Sequence, residues 1–158
     1  MKESETINDV LKELQIKQIR EGIYTKIHKE YGKIANLSRD LFEFLVLREC
    51  LSRYDDAYLH QIAKNCEYRE YLRSPYWKII RNFKLYTDRQ CRICKTNSRL
   101  TVHHKTYEHL GIEFRYPEDL DVLCWKCHIE ERRKNPLQGN DKVVHEIIHN
   151  LSERFNHE

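Results

Sequence analysis

Residues 91–128 run CRICKTNSRLTVHHKTYEHLGIEFRYPEDLDVLCWKCH. A C-x-x-C pair stands at each end, Cys91 with Cys94 and Cys124 with Cys127. Two thiolates in one tight turn grip an edge of a tetrahedral ion, so the two pairs predict a closed, four-sulfur structural zinc site. The alternative is one knuckle pairing with His103 or His128 instead, which leaves two cysteines free. The intervening residues 95–123 exceed the roughly 15–20 residues that separate the knuckles of an ordinary zinc ribbon. An insertion therefore lies between the knuckles, and it carries the doublet His103-His104.

The doublet follows Leu100-Thr101-Val102, whose alternation predicts a short strand. Neighbouring side chains on a strand point to opposite faces, so two consecutive histidines do not normally serve one site equally. At a strand end, one can face a metal and the other a substrate. His128 stands at the start of a predicted helix, brought close by the zinc. The set thus offers two imidazoles able to hold a cation and a third free to move a proton near neutral pH.

The other residues bound the class. Apolar residues make up 40% of the 158 and charged ones 34%, which suits a modest core, and no apolar run approaches the ~20 residues of a membrane span. The start, MKESETINDV, lacks a signal-peptide core, so the expected compartment is cytoplasmic. There six cysteines are metal ligands or free thiols more readily than disulfides, and Cys50 and Cys66 read as core thiols. The net charge is +3, but residues 64–99 hold ten basic side chains against three acidic ones, a local +7. That concentration points to a polyanion such as nucleic acid, and equally to a solvated helix face.

In chain order, helices are expected over 5–30, with Val10, Leu11, Leu14, Ile16, Ile19, Ile23 and Ile27 as a packing or dimerisation stripe, and over 38–53, capped by Ser38 and apolar nearly all round. A third is capped by Asp55 or Asp56 and runs to about Leu72. A fourth starts at Ser74-Pro75 and runs to about 86, with Trp77, Ile80 and Phe83 facing inward and Lys78, Arg81 and Lys84 sharing one face. A short helix from Lys126 ends at Asn135-Pro136, and a last amphipathic one spans 141–155 with His145 and His149 four apart.

Taken together, the order C-x-x-C, L-x-V-H-H-x-T-Y, G-x-E, D-L-x-x-L-C-x-x-C-H resembles the HNH endonucleases. The likeness covers about residues 71–130, including Tyr71-Leu72-Arg73-Ser74 and Trp77-Lys78. It implies an α+β, mostly helical protein, with a small ββα-metal nuclease core holding two zinc knuckles. The expected organisation is a helical region at 1–70, the nuclease domain at 71–135 and a C-terminal helix at 136–158.

By the same resemblance, His103 and His128 take the places that hold a catalytic divalent cation. Mg²⁺ or Mn²⁺ is favoured, with Zn²⁺ or Ni²⁺ as alternatives, and Glu131 and Arg132 stand where some members add a further histidine. His104 takes the general-base place, and Asp119 stands for the Asn that braces its loop. Tyr107 and Glu113 match positions read as bracing, with Glu113 as an extra ligand the lesser reading. The implied partner is double-stranded DNA, contacted by Lys78, Arg81, Lys84, Arg89, Arg92, Lys105 and Arg132, in the cytoplasm of a bacterium or phage-infected cell. A homodimer through the N-terminal helices is compatible with this. The competing expectation is a zinc-stabilised nucleic-acid-binding module without cleavage.

Overall fold

The computed structural model describes residues 17–31 and 38–134. The expected helix at 141–155, with His145 and His149, lies outside the described residues, as do Val10, Leu11, Leu14 and Ile16 of the first. Among the described residues, no helix is long and apolar enough to cross a membrane.

The first helix, α1 (Lys17–Tyr31), buries Ile23 and Ile27 in the chain's own core. It lies against α2 (Arg39–Leu51), with Lys26 Nζ 2.7 Å from Glu49 Oε1 and the Tyr24 and Phe42 rings 5.1 Å apart. Ser38 caps α2 by accepting from the Leu41 N–H at 3.2 Å. Phe44, Leu45, Leu47, Cys50 and Leu51 of that helix are all buried, as expected for a helix apolar nearly all round.

Asp55 caps α3 (Asp56–Asn65) as expected, but the helix does not run on to Leu72. It stops at Cys66, and Glu67 starts a new short helix, α4 (Tyr68–Arg73), by accepting from the Glu70 N–H at 3.1 Å. Cys66 and Glu67 both take extended backbone angles. The break re-aims the chain so that Tyr68 and Tyr71 of α4 point at the histidine-bearing hairpin. Ser74 then caps α5 (Pro75–Thr87), with Pro75 in the first turn where its missing N–H leaves nothing unpaired. This helix buries Tyr76, Trp77 and Ile80, and its Phe83 ring stacks on Phe44 of α2 at 3.6 Å.

The sheet has two antiparallel strands, β1 (Leu100–His104) and β2 (Leu120–Cys124), in a register that sets Val102 opposite Val122 and His103 opposite Asp121. A 3₁₀ turn, Pro117–Asp119, leads into β2, and α6 (Trp125–Lys134) follows at once. The protein is therefore mostly helical with a small antiparallel hairpin, an α+β arrangement. One apolar cluster runs from Ile23 to Val122, across the boundary expected at residue 70. A second, small cluster gathers Cys91, Leu123, Cys124 and Cys127, with Leu100 against it.

The loop between the strands folds back on α3. Gly111 has φ +89°, and a Cβ there would sit 2.5 Å from Ala63 Cβ and 2.9 Å from Leu59 O. Backbone strain and overpacking together predict that Gly111→Ala costs roughly 2–4 kcal/mol, readable as a lowered urea midpoint.

Candidate metal centre and histidine pair

The four knuckle sulfurs converge. Their Sγ atoms lie within 4.8 Å of one another, with Cys94 and Cys124 at 3.6 Å. Tetrahedral bonds of about 2.3 Å to one ion place sulfurs roughly 3.8 Å apart, so the quartet fits a metal ion such as zinc. The knuckle turn is held by Lys95 N–H on Cys91 O at 3.0 Å, with Lys95 at φ 63°.

Burial pushes the Cys91 thiol up, but the backbone N–H groups of Cys94, Cys124 and Ile93 outweigh it and bring it down to about 6. Cys127 goes the other way, to about 12, first through burial and then through the neighbouring sulfurs. Four sulfurs this close cannot all ionise side by side unaided, and a divalent cation among them removes the conflict.

The histidines divide between the two faces of β1. His103 shares its face with Asp121, and its ring centre is 5.1 Å from that of His128, in the first turn of α6. Metal–nitrogen bonds of about 2.1 Å put two imidazole centres on one ion roughly 5 Å apart, so this pair can hold a cation. His103 Nδ1 is buried without a hydrogen-bond partner, and so is the Nε of Arg132, one turn beyond His128. Among the described residues the four cysteines are the one group of three or more ligands that converges, so the pair stands as two ligands without a third.

Burial, then the Arg132 charge, pulls His103 below its ordinary value of 6.5 and His128 down to about 4. Both rings are therefore neutral, with lone pairs free, at neutral pH. The folded chain resists protonating His128 between pH 6.5 and about 4, while the unfolded chain accepts that proton. Stability is thus full above pH 6.5 and falls with pH through that window, by on the order of 3 kcal/mol at its acid end. Urea midpoints measured across the window should fall more steeply for the wild type than for His128→Gln.

His104, expected as the general base, faces the other way. It is 3% exposed, with Nε2 at 3.0 Å from Glu113 Oε1 and Nδ1 at 3.3 Å from the Tyr68 hydroxyl. Its ring stacks on Trp77 at 4.5 Å and on Tyr107 at 5.2 Å. Strand alternation holds to the end of β1, so the residue after His103 turns into the core with both nitrogens engaged. Such an imidazole has no open face toward a water or a phosphate.

Glu113, 1% exposed, is the hub of that core. It accepts from Tyr71 Oη at 2.6 Å, Tyr76 Oη at 2.7 Å and the Gly111 N–H at 2.9 Å, besides facing His104. Burial and then the Glu113 charge push both tyrosines well above their ordinary value, so they remain donors. Tyr107, on the same side, has its hydroxyl 3.3 Å from that of Tyr68.

Asp119 has two contacts in this loop. Its backbone carbonyl accepts from the Lys105 N–H at 2.8 Å, while its side chain takes His109 Nδ1 at 2.6 Å. The Asp119 carboxylate raises His109, whose ring stacks on Tyr116 at 3.7 Å.

Of the candidate DNA contacts, three already have acidic neighbours. Lys84 pairs with Asp88 at 2.8 Å, Arg92 with Asp121 at 2.7 Å, and Lys105 lies 4.0 Å from Asp121. Lys78, Arg81 and Arg89 have no carboxylate at ion-pair distance among the described residues, and Arg89 lies over the Tyr86 ring.

No protein-family model, curated protein or solved structure matches this chain. The site stands on its own geometry.

Sequence reasoning missed Tyr68, Tyr71 and Tyr76, which reach the His104–Glu113 pair, and the Asp121–Arg92 pair beside His103. The recurrence of Tyr at 68, 71 and 76, beside Trp77, is a signal for a buried polar aromatic shell, but only the fold gives it a centre.

Proposed function

We propose that this chain is a metal-dependent endonuclease of the HNH type, with a ββα-metal core, that hydrolyses DNA phosphodiester bonds. In this reading the four cysteines hold structural zinc, and His103 with His128 hold the catalytic divalent cation. The observation that carries it is the facing His103–His128 pair beside Arg132: two neutral imidazoles, an unpartnered ring nitrogen and an unpartnered guanidinium N–H.

That grouping has a chemical logic. A cation held by the imidazoles would be repelled by Arg132, unless an anion lies between them. A phosphate meets this need, because its oxygens can accept from Arg132 while facing the cation. A divalent cation there would supply charge stabilisation to the phosphorane and polarise the attacking water. His103 and His128 orient the group, Arg132 holds a phosphate oxygen, and the Asp119–Lys105 backbone bond fixes the end of β1. With two protein ligands the remaining coordination is left to water and phosphate oxygens, which favours Mg²⁺ or Mn²⁺. Lys78, Arg81 and Arg89 supply charge for the DNA backbone.

The inward His104 favours a second reading, a zinc-stabilised DNA-binding module that does not cut. Supercoiled plasmid incubated with Mg²⁺ or Mn²⁺ separates the two. His103→Ala and His128→Ala should each reduce nicking by at least ~100-fold, with melting temperature and zinc content held. His104→Ala should instead lower the melting temperature. Nicking that is abolished in His104→Ala at an unchanged melting temperature would mean that this imidazole reaches substrate after all. Binding without nicking in the wild type would select the second reading.

A further inference from the structure

Trp125 opens α6 between the two cysteines of the second knuckle. The chain has two tryptophans, and they differ in setting: Trp77 is buried, while Trp125 is 37% exposed. A single exposed apolar side chain is ordinary on any surface. This one is placed beside the histidine pair, its ring centre 6.2 Å from that of His128. Its backbone is fixed, because the Trp125 N–H donates to Arg99 O at 3.1 Å and the cysteines on either side belong to the metal quartet. Exposed Lys126 follows it, and the unpartnered Arg132 Nε belongs to the same helix. On the other knuckle Ile93 is exposed as well, so the knuckles supply two of the five exposed large apolar side chains among the described residues.

A rigid indole face amid cations, next to a pair suited to a phosphate, matches a nucleobase better than an apolar protein side chain. Every base has a π-face, so stacking needs no particular sequence. In uninterrupted duplex both faces of a base are already covered by its neighbours, so an indole on the protein surface can take only a base that has left the stack. We infer that Trp125 is a stacking platform for an unpaired base beside the scissile phosphate, and that the substrate class is DNA carrying unpaired nucleotides. This rests on the nuclease reading above and narrows its substrate.

The test uses the full-length, zinc-loaded protein and three DNAs: a fully paired duplex, the same duplex with a single-nucleotide bulge, and the single strand. With Mn²⁺, the wild type should cut the bulged duplex at least ten-fold faster than the paired one. Trp125→Ala should lose roughly 5- to 100-fold on the bulged substrate, the factor that one base stack is worth, while Trp125→Phe keeps most of the rate. Tryptophan emission gives a readout independent of cutting. Bulged or single-stranded DNA should quench the wild type but not Trp125→Phe, whose remaining Trp77 is buried. Melting temperature and zinc content of both variants serve as the check on folding.

An unchanged ratio of bulged to paired cutting in Trp125→Ala, with no quenching in the wild type, overturns the platform and leaves the nuclease reading standing. Quenching by unpaired DNA in a wild type that cuts none of the three supports the platform and removes the nuclease reading.

Discussion

Loss of metal from the four-cysteine site, or replacement of Cys124 with Ser, is expected to release the knuckles and α6 while most of the helical signal survives. The reason is the size of the apolar cluster there. Cys91, Leu123, Cys124 and Cys127 form it, with Leu100 against them, and three of those four belong to the sulfur quartet itself. A structural zinc contributes on the order of 10 kcal/mol, comparable to the whole net stability of an ordinary domain. The helices α1, α2 and α5 bury their own apolar faces and do not draw on the knuckles. Far-UV circular dichroism before and after chelation, with metal content by mass spectrometry, reads the outcome. One zinc per chain and loss of α6's protection from hydrogen exchange are expected, with the core-packed strands less affected. An α6 equally protected without metal would show that packing alone holds it.

Glu113→Ala is expected to cost about 5 kcal/mol in chemical denaturation. The carboxylate accepts from Tyr71, Tyr76 and Gly111 and faces His104 Nε2, so its removal strands several buried donors at ~1–3 kcal/mol each. Glu113→Gln keeps the shape but turns an amide N–H₂ toward donors, so it should recover only part of the loss. The same pair of variants tests the lesser reading of Glu113 as a metal ligand. Unchanged stability with weakened cation binding would restore that reading, whereas a fall in stability with cation affinity intact fits the brace.

The network also bears on the site. Tyr68 and Tyr71 come from α4, Tyr76 and Trp77 from α5, and Tyr107, Gly111 and Glu113 from the strand-joining loop. They converge on the Glu113–His104 pair, so the end of β1 is fixed from the core side while His103 presents its ring on the other. A histidine doublet here serves as one outward side chain and one anchor.

Much of this was legible because it is local. Ser38, Asp55 and Ser74 announce helix starts, since a short polar side chain can accept from an N–H three residues on. The spacing C-x-x-C announces shared coordination, since two thiols in one turn reach one ion. The break at Cys66-Glu67 was not legible, because apolar residues on either side keep a helical rhythm through it. What decides the break is the packing of buried Tyr71 and half-buried Tyr68 against a loop some forty residues downstream.

The sequence by itself determined the helix starts at Ser38, Asp55 and Ser74, the short strand before the doublet and the four sulfurs that belong together, because each depends on residues within a turn or two of one another. Only the tertiary structure decided which histidine looks outward and what Glu113 does. A strand's alternation fixes that His103 and His104 point apart, but the face that becomes interior is set by which distant side chains pack on it. Here the tyrosines of α4 and α5 claim the His104–Glu113 pair, and α6 brings His128 and Arg132 to His103.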